Sequence, residues 1–174
     1  MNKKLLSSIA ATLVDNSKGI LAADESTGTI TKRFKQINLE SNFENRRIYR
    51  EILFSAKNLE NFISGIIFFD ETIRQHDSNN VSFVNLLIDK GIRVGIKVDK
   101  GAKKLFGAED ETITEGLDEL PKRIEEYKNL GATFTKWRAV FKITGENPSL
   151  YCIKLNAHAL ARYAKIVQEF DLVY

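Results

Sequence analysis

Four strongly apolar segments of the chain alternate with segments of helical character. The apolar segments are KGILAAD at residues 18–24, FISGIIFFD at 62–70, IRVGIKVDKG at 92–101 and ATFTKWRAVFKI at 132–143. Strands this apolar are typical of a sheet covered on both faces, and strands that alternate with helices form parallel βαβ units. The sequence therefore predicts an α/β fold, either a doubly wound sheet or a (β/α)8 barrel. Both folds bind ligands at the carboxyl ends of their strands.

Helices are predicted before, between and after these strands. Leu5, Ile9 and Leu13 recur at helical spacing and predict an amphipathic opening helix ending near Asp15, rather than the signal peptide that two early lysines imitate. The other predicted helices cover residues 27–37, 42–57, 82–91, 116–131 and 148–170. Residues 171–174 begin a fifth strand. Because the chain shows no linker or repeat, we expect a single domain over residues 1–174.

The composition excludes several classes of protein. With 43% hydrophobic and 28% charged residues, the 174-residue chain has the profile of an ordered soluble protein. A net charge of +3 spread along the chain gives little reason to expect a nucleic-acid partner. No segment reaches the roughly 20 apolar residues that cross a membrane. The single cysteine, Cys152, cannot form an internal disulfide, so we expect a small core residue and a reducing, cytoplasmic compartment.

Charged residues interrupt the third predicted strand on one face only. Side chains two apart on a strand share a face, so Lys97 and Asp99 point one way while Ile96 and Val98 point the other. Ions in a central strand are costly unless they are paired, solvated or holding a ligand. An edge strand in water would explain one such pair, so this pattern alone leaves two interpretations open.

The same pattern recurs in the fourth predicted strand, where Lys136 and Arg138 share a face. Asp24 and Asp70 also stand at the ends of the first two predicted strands. A barrel interior near its carboxyl-terminal mouth accounts best for the whole set, because it encloses a polar pocket while the outer strand faces stay dry.

The residue types in this set indicate the class of ligand. The cations Lys97, Lys136 and Arg138 are expected to converge with the hydroxyls of Ser26 and Thr29. Such a group of side chains is suited to binding a phosphorylated anion. The motifs GxGxxG and GxxxxGK[ST] are absent, so nothing indicates a dinucleotide or a nucleoside triphosphate. The two histidines, His76 and His158, lie on separate segments and predict surface or packing positions rather than a zinc site. The acidic stretch AEDE at residues 108–111 predicts a solvated turn rather than a cation loop.

Six motifs together resemble the class I fructose-bisphosphate aldolase family. In chain order they are GILAADESTGTITKRF, ENRRIYREILF, GIIFFDET, GIKVDKG, TKWRAVFKI and NAHALARYA. The resemblance implies a cytoplasmic, usually tetrameric (β/α)8 barrel. It also implies the glycolytic lyase reaction that cleaves fructose 1,6-bisphosphate to dihydroxyacetone phosphate and glyceraldehyde 3-phosphate. The family uses a lysine Schiff base, without a metal or other cofactor, and no nucleic-acid or membrane partner is implied.

The resemblance also assigns roles to seven positions. Asp24 resembles the aspartate beside the Schiff-base nitrogen, and Lys136 resembles a lysine close to the reacting carbons, so these two are the expected catalytic residues. Five further positions resemble substrate-binding residues: Ser26, Thr29, Arg33, Lys97 and Arg138. Within this group, Ser26, Thr29 and Lys97 match positions at the 6-phosphate. Arg138 matches a further position on the phosphate side of the site, and Arg33 matches an arginine near its mouth.

The length of the chain departs from the family pattern. Such barrels need about 250 residues, whereas this sequence reaches only the start of the fifth strand, before the segment that carries the family's Schiff-base lysine. We therefore expect about the first half of the barrel, with open strand edges, and no activity from residues 1–174 alone. The alternative is a non-catalytic sugar-phosphate-binding or half-barrel assembly module that pairs with a separate partner chain.

Overall fold

The computed structural model describes residues 1–14 and 17–174, so the predicted helix end at Asp15 lies outside the described residues. The helices are α1 (Lys3–Leu13), α2 (Thr27–Lys35), α3 (Phe43–Phe54), α4 (Phe83–Asp89), α5 (Leu120–Asn129) and α6 (Leu150–Glu169). The strands are β1 (Gly19–Ala23), β2 (Ile63–Phe68), β3 (Arg93–Lys97), β4 (Ala102–Lys104), β5 (Thr112–Thr114) and β6 (Phe134–Lys136). Within these described ranges, no helix is both long and apolar enough to cross a membrane.

The predicted helices begin at residues suited to helix starts. The side chains that accept a hydrogen bond from a first-turn amide at the start of α1, α2, α3, α4 and α6 are Asn2, Ser26, Asn42, Ser82 and Ser149. Helix α5 instead has a proline in its first turn, where a missing N–H costs nothing. Helix α4 gives way to Gly91 with φ of +71°, which confirms the predicted glycine stop.

The four parallel strands lie side by side in chain order, β1-β2-β3-β6. A doubly wound sheet reverses its strand order at one point, and this reversal places helices on both faces. The order here does not reverse, and helices α3 to α6 pack together on one face. The topology therefore selects the barrel, and the four strands with their helices are hereafter called the half-barrel.

The outer face of the half-barrel forms the main hydrophobic core. Strand residues that point outward are at most 1% exposed: Ile66, Phe68, Val94, Ile96 and Val98. The helix residues packed against them include Phe54, Phe83, Leu87, Ile124 and Val167. Burying a side chain of this size contributes roughly 2 kcal/mol, so this layer holds the strands in place. The prediction that Ile96 and Val98 lie on a dry face is confirmed.

The inner face of the half-barrel is covered at one level by α1. Ile9 and Leu13 of α1 pack against Phe134 of β6, with Ile67 of β2 and Val173 beside them. Residues Ile67, Gly95 and Phe134 are in register across β2, β3 and β6, so they form one layer of the inner face. The next layer toward the carboxyl ends carries charge, because Lys97 is in register with Lys136. Helix α1 thus closes the apolar level below the charged level.

Two strand predictions need correction. Strand β1 is not covered on both faces: Ile20 is 43% exposed, because β1 is the edge strand among the described residues. The predicted fourth strand ends at Lys136, so Arg138 lies beyond it. The predicted fifth strand is present as a parallel bridge between Phe134 and Val173.

The antiparallel hairpin of β4 and β5 was not predicted. Its loop contains the acidic residues expected to form a solvated turn. That prediction fails for Glu111, which is 4% exposed and accepts hydrogen bonds from the amide and hydroxyl of Ser149 at 2.7 Å and 2.5 Å. Glu111 therefore joins the hairpin to the start of α6. Cys152 is buried in this region, as predicted.

Replacing Gly95 with alanine should destabilise the half-barrel. A Cβ atom on Gly95 would lie 2.3 Å from the ring of Phe134, and relieving such a contact costs about 1–3 kcal/mol. Chemical denaturation of Gly95→Ala should show this loss, and Phe134→Leu in the same chain should recover part of it. Gly145→Ala is the matched control, because no atom lies within 4 Å of its Cβ position. Equal stability of the two alanine variants would contradict the packing argument.

Candidate active site

One cavity of about 930 Å³ lies at the carboxyl ends of the parallel strands. It is lined by every site residue predicted from the sequence: Asp24, Ser26, Thr29, Arg33, Lys97, Lys136 and Arg138. These residues come from three separate segments of the chain, and the half-barrel brings them together. Seven cationic and five anionic side chains line the cavity, so its charge favours an anion.

The centre of the cavity is the pair formed by Lys136 and Asp24. Lys136 ends β6, and its Nζ donates to Oδ2 of Asp24, which directly follows β1. Asp24 is 8% exposed, so the carboxylate is buried beside its cation. The two residues are 112 positions apart in the chain but lie within one ion pair. The arrangement places a carboxylate and an amine in direct contact, which proton transfer requires.

Lys97, the last residue of β3, is held by Asp99 two positions further along the chain. Its Nζ donates to the backbone oxygen of Asp99 at 2.8 Å and lies 2.8 Å from Oδ1 of the same residue. The Lys97 side chain is 17% exposed and the Asp99 side chain 3% exposed. The predicted shared face of Lys97 and Asp99 is confirmed, and both side chains line the cavity.

Arg138 reaches the cavity without belonging to a strand. Its amide lies 3.3 Å from Oδ2 of Asp99, and its carbonyl accepts from the hydroxyl of Thr114 at 2.7 Å. Thr114 lies in β5, and its backbone amide donates to the side-chain oxygen of Asn156, a buried residue of α6. The hairpin therefore takes the place of a partner strand for the segment that carries Arg138.

The first turn of α2 forms the hydroxyl-bearing wall. Ser26 caps the helix, and its Oγ lies 3.1 Å from Oγ1 of Thr29, one turn later. The first backbone amides of a helix have no acceptor within the helix and carry partial positive charge, so they favour a bound anion. Because both hydroxyls and the helix start border the cavity, this wall is suited to a phosphate group.

Arg33 at the mouth of the cavity is attached to a buried ion pair. Glu25 contacts Arg33 and Arg50 through its two carboxylate oxygens, and Arg33 also donates to the hydroxyl of Tyr49 at 3.2 Å. Arg50 is 1% exposed. Burial by itself raises the pKa of the Glu25 carboxyl, but the hydrogen bond and charge of Arg50 and the charge of Arg33 outweigh it and lower the pKa below its usual value.

The opposite wall carries a second polar cluster. Arg74 pairs with Asp70 at 3.0 Å and with Glu126 at 2.5 Å, and the hydroxyl of Tyr127 donates to Asp70 at 2.9 Å. Burial, followed by this hydrogen bond, raises the pKa of Tyr127 to about 12. Tyr127 is therefore a protonated donor at neutral pH. Asp70, predicted at the end of the second strand, belongs to this wall rather than to the central pair.

Sequence reasoning missed two residues that shape the cavity. Arg123 of α5 donates to the backbone oxygens of Val98, at 2.9 Å, and Gly116, so it holds the end of β3. Arg50 holds Glu25 from α3. Both lie in amphipathic helical segments where an arginine predicts a solvated face. The two histidines are exposed, as expected for surface positions.

The family follows from the sequence and the fold together. Residues 5–174 match the family model described as fructose-bisphosphate aldolase class-I. The chain belongs to the class I fructose-bisphosphate aldolase family. It is 53% identical over 173 residues to a probable fructose-bisphosphate aldolase class 1 of Xanthomonas campestris, covering 99% of this chain and 52% of that protein. It is also 53% identical over 172 residues to fructose-bisphosphate aldolase C of Homo sapiens, covering 98% and 47%.

A solved aldolase structure has the same fold. Fructose-bisphosphate aldolase of Plasmodium falciparum, in complex with TRAP and a small-molecule inhibitor, matches with a TM-score of 0.95 and 48% identity. The match covers 98% of this chain and 50% of that aldolase chain. The predicted family and partial barrel are thus confirmed, and the chain spans about half the length of the relatives it matches.

Replacing Arg50 with methionine should destabilise the aldolase chain by about 3 kcal/mol, because removing one partner leaves the other charge buried. Arg33 remains beside Glu25, which limits the loss. The measurement is the free energy of unfolding in denaturant. Lys165→Met is the control, since the Lys165 and Glu169 side chains are 67% and 54% exposed and such a pair contributes less than about 1 kcal/mol. Equal effects of the two substitutions would argue against a buried pair.

The Glu25 ion pairs should make stability depend on acid pH. The pKa of Glu25 lies below 4.5 in the folded chain, so its contribution is complete above that value and is lost as the pH falls through the folded pKa. Between about pH 5 and pH 3, the free energy of unfolding should fall less steeply for Glu25→Gln than for the unsubstituted chain. Parallel pH profiles for the two proteins would show that Glu25 does not titrate in this way.

Proposed function

We propose that this chain supplies the phosphate-binding and proton-transfer half of a class I fructose-bisphosphate aldolase site. The observation that carries the proposal is the contact between Lys136 and Asp24 inside one cavity with Lys97, Arg138 and the hydroxyl-bearing start of α2. Family membership and the cationic balance of the cavity support a phosphorylated ketose as the substrate. The reaction proposed is the glycolytic cleavage of fructose 1,6-bisphosphate to dihydroxyacetone phosphate and glyceraldehyde 3-phosphate.

Each site residue predicted from the sequence has a proposed role. Asp24 and Lys136 are the catalytic residues: their contact allows a proton to move between carboxylate and amine, and the lysine charge stabilises negative charge that develops at the reacting carbons. Ser26, Thr29, Lys97 and Arg138 bind the 6-phosphate end by charge-assisted hydrogen bonds. Arg33 binds at the mouth, oriented by Glu25 and Tyr49.

In this proposal, neither Lys97 nor Lys136 supplies the Schiff-base nucleophile. Lys136 is paired with Asp24, and Lys97 with Asp99. An amine that donates to a carboxylate is not free to attack a carbonyl. The resemblance places the imine-forming lysine of the family outside residues 1–174. A polypeptide limited to these residues is expected to bind the sugar phosphate without cleaving it, which is also what a non-catalytic binding module would do.

Three further features belong to the same proposal. A single domain over residues 1–174 is supported by one core cluster that extends from Ala23 to Leu172. A cytoplasmic compartment is supported by a buried free thiol at Cys152. Homotetramers are expected from the family resemblance alone, and sedimentation of the whole protein tests this expectation.

Cleavage of fructose 1,6-bisphosphate by the whole protein tests the proposal, together with borohydride trapping of an imine. Lys136→Met should lower kcat by roughly 100-fold or more, because the charge it supplies acts in a site shielded from water. Lys165→Met on the exposed side of α6 is the control and should retain full activity. Residues 1–174 alone should show saturable binding and no trapped imine. Turnover by residues 1–174 alone would overturn the proposed division of roles, and an inactive whole protein would overturn the proposed function.

A further inference from the structure

Asp99 is a buried carboxylate to which the proposed reaction gives no role. It directly follows Val98 beyond the end of β3, its side chain is 3% exposed, and it lines the cavity. A carboxylate this deep must be compensated by cations or hydrogen-bond donors. Three groups do so: the ammonium of Lys97 at 2.8 Å, the amide of Gly101 at 3.0 Å and the amide of Arg138 at 3.3 Å.

The contact with Asp99 limits how Lys97 can meet a ligand. An ammonium group has three N–H donors. The backbone oxygen of Asp99 accepts from one of them at 2.8 Å, and Oδ1 of the same residue lies 2.8 Å from Nζ as its ion-pair partner. Asp99 therefore holds the Lys97 charge in one place at the cavity wall.

Asp99 also holds the backbone that carries Arg138. Arg138 lies beyond the end of β6, so hydrogen bonds between strands do not hold its backbone. Oδ2 of Asp99 accepts from its amide, and the Thr114 hydroxyl donates to its carbonyl. Among residues 1–14 and 17–174, no carboxylate forms an ion pair with the Arg138 guanidinium. The backbone is thus held on both sides while the guanidinium stays available.

We propose that Asp99 is a positioning residue that sets Lys97 and Arg138 at the spacing needed to hold one phosphate group together. The inference rests on the proposed function, in which these two cations bind the phosphate at carbon 6. Because fructose 1-phosphate lacks that group, Asp99 then determines the preference for fructose 1,6-bisphosphate over fructose 1-phosphate. The residue acts through its two neighbours and does not itself touch the substrate.

Two effects of removing the Asp99 charge oppose each other. Loss of a negative charge at the cavity wall by itself strengthens the binding of an anion. The same change frees the Lys97 ammonium and the Arg138 backbone, so that both have to be ordered again when the phosphate binds. The cavity is open to water, which weakens the first effect, whereas a phosphate held by two cations depends on the position of both. We therefore expect the loss of position to dominate.

The test compares kcat/KM for the two substrates in the whole protein. Asp99→Asn keeps the size of the side chain and one oxygen, but its amide donor replaces either the oxygen that faces Lys97 and the Gly101 amide or the oxygen that faces the Arg138 amide. The ratio of kcat/KM for fructose 1,6-bisphosphate to that for fructose 1-phosphate should fall by about tenfold. Asp89→Asn, exposed at the end of α4, removes the same charge away from the cavity and should leave the ratio unchanged.

Two further variants separate positioning from general destabilisation. In a chain that already carries Lys97→Met and Arg138→Met, Asp99→Asn should lower the ratio no further, because the residues it positions are gone. Thr114→Val keeps the shape of β5 but releases the Arg138 carbonyl, so it should lower the ratio even if Asp99→Asn fails to fold. A general loss of folded enzyme would reduce both substrates equally and leave the ratio unchanged.

The outcomes distinguish the inference from the function on which it rests. If the unsubstituted protein cleaves fructose 1,6-bisphosphate but neither Asp99→Asn nor Thr114→Val lowers the ratio, the positioning role is wrong and the proposed function stands. An increased ratio in Asp99→Asn would show that charge outweighs position, and it would also overturn the inference. If the unsubstituted protein cleaves neither sugar phosphate, the proposed function fails and the inference fails with it.

Discussion

The two lysines that end β3 and β6 of the half-barrel are each compensated by a carboxylate, and the cavity depends on these pairs. Lys136 contacts Asp24, and Lys97 contacts Asp99. Without the carboxylates, two ammonium groups opposite each other on adjacent strands would repel across a partly dry interior. The pairs therefore allow the inner face to carry charge while the outer face of the same strands builds the core. A phosphorylated ligand then meets cations that are already held in position.

The pairs differ in the distance along the chain over which they act. Asp99 follows Lys97 by two residues, just beyond the end of β3, so the local backbone geometry alone brings them together. Asp24 and Lys136 meet only when β1 and β6 are set in the same curved sheet, with β2 and β3 between them. The first pair is local and the second is a consequence of the barrel. This difference explains why the proton-transfer pair of the proposed mechanism requires the complete set of four strands.

The binding residues that lie outside the strands depend on elements that carry no ligand themselves. Arg138 depends on the β4–β5 hairpin and on Asn156 behind it, and Arg33 depends on Glu25 and Arg50. Within these supports, Thr114, Asn156 and Arg50 are at most 3% exposed, whereas Arg138 and Arg33 are exposed, so the supporting contacts are shielded from water and salt. The precision of the proposed phosphate site is thus set by contacts one layer behind the cavity.

Much of this organisation could be predicted from the residues. The apolar strands, the helices between them, and the shared face of Lys97 and Asp99 are local patterns with periods of two or 3.6 residues. The position of Arg138 was predicted for the wrong reason: its alternation with Lys136 suggested a strand, but a hairpin hydroxyl and Asp99 hold it. The hairpin itself has strands of three residues, too short to show a period.

The amino-acid sequence by itself determined the class of fold, the family and the residue types of the cavity, because these follow from local periodicity and from motifs that stay intact along the chain. Tertiary structure confirmed the barrel that the charged strand faces and the resemblance predicted, since the strand order does not reverse. It also decided that Arg50 is buried, that Ile20 is not, and that Asp24 faces Lys136. Those outcomes depend on which distant segments become neighbours, and no short stretch of sequence encodes that.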